Sequence, residues 1–247
     1  MKFLIVIPAR LKSKRLPNKP LINIKGLPMI VRTYKQCSKV ADRKNIIVAC
    51  DSKKIADICK THKINYLITS RNCLTGTDRV YEVSKKIFAE NYINVQGDEP
   101  IFNPTDLKKV IKFILNKKNN KFVLLGYSNF NSKKIMQNPN IPKIVFNKNF
   151  ELIYVSRAGI PSTKSQNNYK GFRQVLVYNF PRYIFKNFKR LENNKKFLEK
   201  NEDIEILRFI ESGYKVKLIK LSSKSKSVDT KEDLKQVAKI IKIWSLF

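Results

Sequence analysis

Short, unbroken hydrophobic runs alternate with helix-patterned segments through the first hundred positions, and that rhythm leaves few folds open. Phe3-Leu4-Ile5-Val6-Ile7 opens the series, and Ile46–Cys50, Tyr66–Ile68 and Tyr92–Gln96 repeat it. Runs without polar alternation belong to strands covered on both faces. Between them Pro28 to Val40, Lys53 to Lys60 and Thr77 to Phe88 carry apolar residues at helical spacing. Thr105 to Leu115 follows the fourth run as a further helix, with Thr105 as its cap. Strand and helix in strict alternation predict an α/β fold with a doubly wound, mostly parallel sheet.

The rhythm changes after Lys117. Phe122–Tyr127, Lys143–Phe146, Leu152–Ser156 and Gln174–Tyr178 read as strands with no long helix between them. They predict a smaller β-rich lobe over 121–181, inserted between an α/β part, 1–120, and a return to the core sheet, 182–247. Helices are expected near Arg182–Arg190 and Glu202–Ser212, a strand at Val216–Leu221, and a last helix from Lys231 to Ile243 behind Asp229. Pro161 to Gly171 is polar and reads as a mobile loop. At 247 residues this is one domain with a lobe.

The formal charge of +32 raises the question of a nucleic-acid partner. The lysines are scattered over every segment, with no basic stripe or tail and no interleaved aromatic–basic motif, so nucleic acid is not the expected partner. Cys37, Cys50, Cys59 and Cys73 show no C-x-x-C spacing and His62 is the sole histidine, which argues against a zinc site or a disulfide framework. The first apolar run is too short for a signal peptide, and no run approaches membrane-spanning length. A cytoplasmic protein without stable membrane association is expected.

Chemistry gathers in the loop beyond the first strand: Pro8-Ala9-Arg10, Ser13, Arg15-Leu16-Pro17, Lys19-Pro20-Leu21. Positive charge past the carboxyl end of a parallel strand is placed for an anionic ligand, and arginine forks match phosphate oxygens. Prolines lower the entropy lost when such a loop is ordered. Val95-Gln96-Gly97-Asp98-Glu99-Pro100 sets two acids at the end of another strand, with Gly97 allowing close approach of a ligand. Acids facing a triphosphate repel it unless a cation intervenes. Mg²⁺ needs only one or two carboxylates, and Asp98 with Asp229 of Val228-Asp229-Thr230 would suffice. Leu74-Thr75-Gly76-Thr77-Asp78-Arg79 offers donors to a base or ribose, or simply a helix cap at Thr77.

The opening motif, continued by Gly26 and Pro28-Met29-Ile30, resembles the amino terminus of the 3-deoxy-manno-octulosonate (Kdo) cytidylyltransferases. Gly76-Thr77-Asp78-Arg79, Ala49-Cys50-Asp51 (Ala-Thr-Asp in the family), Ser156-Arg157 with Ile160-Pro161, and Gln174 through Tyr178 extend the resemblance over nearly the whole chain. It implies a nucleotide-diphospho-sugar transferase-like fold, Mg²⁺ as cofactor, a homodimer, and CTP and a 3-deoxy-ulosonic acid as substrates. The implied reaction gives CMP-Kdo and pyrophosphate for lipopolysaccharide or capsule. Arg10, Arg15, Lys19 and Asp98 take catalytic roles. Ala9, Ser13, Arg71, Gly76, Thr77 and Gln96 join the three cations around the nucleotide, and Asp98 with Asp229 holds the metal. Arg157 meets the sugar carboxylate, while Gln174, Tyr178, Glu202 and Glu205 read the sugar, the two glutamates from one helix face. Gln174 stands where the family carries His, so its side chain can hydrogen-bond a hydroxyl but cannot titrate near neutrality. That departure keeps open the same chemistry on 8-amino-3,8-dideoxy-manno-octulosonate or another ulosonic acid. More distant rivals are a glycosyltransferase, which releases no pyrophosphate, and a basic nucleic-acid-binding protein.

Overall fold

The computed structural model describes residues 1–247 apart from 14, 117–120, 163, 165–168, 187, 189–195, 223–224 and 245–247, with backbone only at 176 and 242–244. It divides into two compact units, 1–115 with 224–247, and 116–223.

The first unit contains β1 (Phe3–Ala9), a small hairpin β2 (Asn23–Ile24) and β3 (Leu27–Pro28), then β4 (Ile46–Cys50), β5 (Tyr66–Ile68) and β6 (Asn91–Val95). Its helices are α1 (Met29–Ser38), α2 (Lys53–Thr61), α3 (Gly76–Lys86) and α4 (Pro104–Asn116). β1 pairs with β4 on one side and β6 on the other, β5 lies beyond β4, and all three pairings are parallel. Leu4–Ile7 and all of β4 are buried, as unbroken hydrophobic strands require when both faces are covered. The chain runs outward from β1 through β4 and β5, then returns to its other side at β6. The carboxyl ends of β1 and β6 therefore flank the reversal of strand order, where open α/β sheets take their ligands.

Local capping explains the helix starts. Thr75 and Asp78 form a reciprocal capping box at α3, so Thr75 rather than Thr77 is the cap. At α4 the cap is Asn103 rather than Thr105. Its Oδ1 accepts from the Thr105 N–H (3.1 Å) and hydroxyl (2.8 Å), while Pro104 occupies a first-turn position that needs no N–H.

The second unit is mixed, as the change of rhythm predicted. It contains β7 (Val123–Asn131), β8 (Lys143–Phe146), β9 (Leu152–Ser156), β10 (Lys170–Pro181) and β11 (Val216–Lys220). β7–β10, β10–β8 and β8–β9 are antiparallel; β11 joins β7 in parallel. Because β11 pairs with β7, 182–223 groups with this unit, and the divisions fall at 115/116 and 223/224 rather than at 120/121 and 181/182. Its helices are short: α5 (Lys133–Gln137), α6 (Arg182–Lys186), α7 (Phe197–Glu202) and α8 (Leu207–Glu211). The single helix expected over Glu202–Ser212 is broken, because Asp203 adopts the left-handed conformation (φ 49°). Glu202 ends α7 and Glu205 lies in the turn before α8, so the two do not share a helix face. The expected helix from Arg182 is seen over Arg182–Lys186; 187 and 189–190 lie outside the described residues, as does much of the expected 161–171 loop, whose last two residues begin β10.

The chain returns to the first unit for α9 (Lys231–Trp244). Val237 and Ile241 of α9 pack with Leu16, Ile24, Met29, Ile101 and Val228 in one buried cluster. No described helix is long and apolar enough to cross a membrane.

Candidate active site

The loop after β1 is braced from behind. The Leu11 N–H donates to Asp51 Oδ1 (2.9 Å) at the end of β4, and Asp51 Oδ2 meets Arg79 Nη2 (3.0 Å). Arg79 also donates to Thr69 Oγ1 (2.7 Å) and the Ser70 carbonyl (3.1 Å). This largely buried pair fixes where the basic loop leaves the sheet. Ser13 is used within the loop, its Oγ accepting from the Leu16 N–H (3.4 Å).

Leu16 is the anchor. It is buried beside Val228, whose N–H donates to the Asp98 carbonyl (2.9 Å). Burying those two apolar residues brings their polar neighbours together. Arg15 Nη2 lies 2.9 Å from Asp229 Oδ1, and Lys19 Nζ lies 3.0 Å from the same oxygen and 2.5 Å from Asp98 Oδ2. A second capping box holds Asp229 in place. Asp233 Oδ2 accepts from the N–H groups of Asp229 and Thr230, and Thr230 Oγ1 accepts from the Asp233 N–H.

One ammonium thus bridges two carboxylates. Burial alone would pull the Lys19 pKa down, but the charges and hydrogen bonds of Asp98 and Asp229 outweigh it and leave the pKa raised. Asp98 Oδ1 is buried and has no hydrogen-bond partner. An orphaned carboxylate oxygen beside a second carboxylate is a donor set that fits Mg²⁺ when phosphate oxygens and water complete the octahedron. No group of three or more His, Cys, Asp and Glu that could hold a metal occurs among the described residues.

The other expected nucleotide residues also lie in the first unit. Ala9 ends β1 and Arg10 is exposed just beyond it. Gln96 follows β6, Gly76 opens α3 with Thr77 buried next to it, and Arg71 Nε reaches the Asp51 carbonyl (3.4 Å). Gly97 serves a different purpose from the one its sequence suggests. A Cβ there would lie 2.6 Å from the Pro8 carbonyl oxygen, so the glycine admits the end of β1 rather than a ligand. Cys50 is fully buried, so its thiol is not open to a ligand.

In the second unit, Glu202 accepts from the Ser156 hydroxyl (2.6 Å), the Arg157 N–H (2.8 Å) and the Tyr154 hydroxyl (3.4 Å). The Arg157 guanidinium donates to the carbonyls of Glu202 (2.5 Å), Pro139 (2.9 Å) and Asp203 (2.9 Å). Gln174 Nε2 donates to the Tyr178 hydroxyl (2.6 Å), leaving Gln174 Oε1 buried without a partner. Arg157 and Glu202 thus form one cluster and Gln174 and Tyr178 a pair, whereas Glu205 has left the helix face expected to align it with Glu202.

Two supporting residues carry roles that the sequence does not assign them. Arg79 stands in the Gly76-Thr77-Asp78-Arg79 run, and its place one helical turn before Val83, on an apolar face, is the signal of its burial. Lys143, fully buried at the head of β8, gave no signal among 51 Lys and Arg.

A parallel sheet with a braced basic loop and two acids at the strand-order reversal is the arrangement of a nucleotidyltransferase. A family model described as Cytidylyltransferase matches residues 4–222, and the chain belongs to that family. It is 37% identical over 243 residues to a 3-deoxy-manno-octulosonate cytidylyltransferase of Chloroherpeton thalassium, covering 98% of each chain. To a Francisella tularensis protein of the same name it is 38% identical over 250 residues, covering 97% of this chain and 98% of that one. A solved structure of CMP:2-keto-3-deoxy-manno-octonic acid synthetase complexed with CTP superposes with a TM-score of 0.89 at 29% identity, covering 98% of both chains.

Proposed function

We propose that this protein activates Kdo with CTP, giving CMP-Kdo and pyrophosphate. The observation that carries the reading is the Lys19 ammonium shared by Asp98 and Asp229, beside the loop that bears Arg10 and Arg15. The anomeric C2 hydroxyl of the sugar acid attacks the α-phosphorus. A new P–O bond forms as the bond between the α-phosphorus and the β-phosphate oxygen breaks, and the hydroxyl proton passes to water. Both reactants are anions, so the work of the protein is to offset charge. Arg10, Arg15 and Lys19 hold the triphosphate and take up the charge that develops on the leaving pyrophosphate. Asp98 and Asp229 would hold Mg²⁺. When bound, that ion neutralises α-phosphate charge and lowers the hydroxyl pKa. Ala9, Ser13, Arg71, Gly76, Thr77 and Gln96 are assigned to the rest of the nucleotide.

In the second unit Arg157 is assigned to the sugar carboxylate. Three of its N–H groups are engaged and Nη2 also lies 3.9 Å from Asp203 Oδ2; a guanidinium carries five N–H groups, so at most one remains on each terminal nitrogen. Glu202, Gln174 and Tyr178 are assigned to the hydroxyls, with Glu205 retained as a sugar residue reached from its turn. The reading includes a cytoplasmic homodimer, and the exposed Phe150 and Ile153 of the second unit support a subunit contact there.

The test is purified protein with Mg²⁺, each of the four nucleoside triphosphates in turn, and Kdo or its 8-amino form. Pyrophosphate release with CTP and Kdo that stops on chelation is expected; release that ignores the sugar acid sinks the reading. A second reading, the 8-amino acid as substrate, is favoured by the unpartnered Gln174 Oε1, an acceptor suited to a donor group such as an ammonium. A higher kcat/KM for that sugar acid would decide for it.

A further inference from the structure

Lys143 is completely buried yet, among the described residues, makes no ion pair. Its ammonium donates to two carbonyls, of Asn138 (2.9 Å) and of Arg157 (2.5 Å). An ammonium taken out of water for two backbone oxygens is a costly way to hold a fold, since a well-packed apolar side chain could fill the space. Two charged groups face it. Burial and the Arg157 guanidinium push its pKa down, and Glu202 partly offsets them.

Its place in the sheet gives the reason. Lys143 is paired with Ser156 of β9 on one side and Arg173 of β10 on the other. The preceding Pro142 carbonyl accepts from the Gln174 N–H (3.0 Å). The two strands that carry Ser156 and Gln174 are therefore registered against this one point. The Arg157 main chain is held at both ends, its N–H by Glu202 Oε2 and its carbonyl by Lys143 Nζ. Arg157 then reaches back to the Pro139 carbonyl, next to the Asn138 carbonyl that Lys143 also takes.

We infer that Lys143 is a positioning residue for the sugar acid: its ammonium sets the backbone of Arg157 and so the direction of the guanidinium and of the Glu202 carboxylate, without touching either substrate. The inference rests on the assignment of Arg157 and Glu202 to the sugar acid. A site that must hold its groups within about half an ångström needs such support from behind.

Lys143→Met keeps the unbranched stem and removes the charge and all three donors, leaving two buried carbonyls unpartnered. Lys143→Gln keeps one donor group. Steady-state kinetics on the full chain should show the sugar-acid KM raised about 10- to 100-fold in Lys143→Met, with the CTP KM within about twofold of wild type. Lys143→Gln should fall between. Thermal melting run alongside establishes that each variant is folded. A folded Lys143→Met with an unchanged sugar KM overturns the inference, as does a joint rise in both KM values. If neither variant folds, Lys143 is a residue of stability alone, and the inference is equally overturned. A wild-type chain that releases no pyrophosphate with either sugar acid removes the functional reading itself, a result obtained before any variant is compared.

Discussion

The two units use charge in opposite ways. In the first, the site's charges are set against one another near the surface: Lys19 is shared by two carboxylates, Arg15 meets Asp229 while more than half exposed, and one Asp98 oxygen has no partner. In the second, Arg157 gives three hydrogen bonds to carbonyls, Lys143 gives two, and Glu202 takes a backbone N–H together with two hydroxyls. On the proposed function, groups that would receive a tetra-anion and a metal gain from being held in place while part of their charge stays open to a ligand. Groups that must distinguish one sugar from another gain from a fixed backbone, because discrimination needs defined positions more than free charge.

The sharpest challenge to this contrast is Asp98→Asn. It should lower kcat about 10²–10³-fold while leaving the melting temperature near wild type, as removal of one electrostatic stabiliser does. Activity close to wild type at ordinary Mg²⁺ would remove the metal assignment. Next comes Glu202→Gln in the second unit. Losing a charged acceptor for three donors should raise the sugar KM about 10- to 100-fold, equivalent to about 1.5–3 kcal/mol, with the CTP KM unmoved. If the CTP KM rose equally, the division of labour between the units would be lost.

Gly97→Ala tests the scaffold beneath the first unit. The new methyl must move the Pro8 carbonyl, at a cost of about 1–3 kcal/mol read as a drop in melting temperature. An unchanged melting temperature would show that the end of β1 yields freely. Arg15→Ala should have the smallest effect on stability, because an exposed ion pair contributes about 0–1 kcal/mol. The CTP KM should nevertheless rise about fivefold through the loss of a phosphate contact. A large fall in stability with no change in that KM would recast Arg15 as structural.

Much of this was legible in the order of residues. Unbroken Ile/Val-rich runs announced β1 and β4, the apolar residues of Tyr92–Val95 announced β6, and the changed rhythm after Lys117 announced a mixed second unit, because burial on one face or two leaves a local pattern. Acids placed after hydrophobic runs pointed to Asp98 with Asp229, and the resemblance agreed. The failures were also local in origin. Glu202 and Glu205 looked like helix neighbours until Asp203 turned left-handed between them, and Thr105 looked like a cap until Asn103 supplied the oxygen.

By itself the sequence determined the longer strands, most of the helices and the basic loop, since each is written in residues a few positions apart; the β2–β3 hairpin was not among them. Only the tertiary structure decided which charges meet. Lys19 lies 79 residues from Asp98 and 210 from Asp229, and they converge because Leu16 and Val228 are buried in the same apolar cluster. It alone decided, too, that Lys143 turns inward to the Arg157 carbonyl. Burial of a charge depends on what packs around it, and no stretch of neighbouring residues records that.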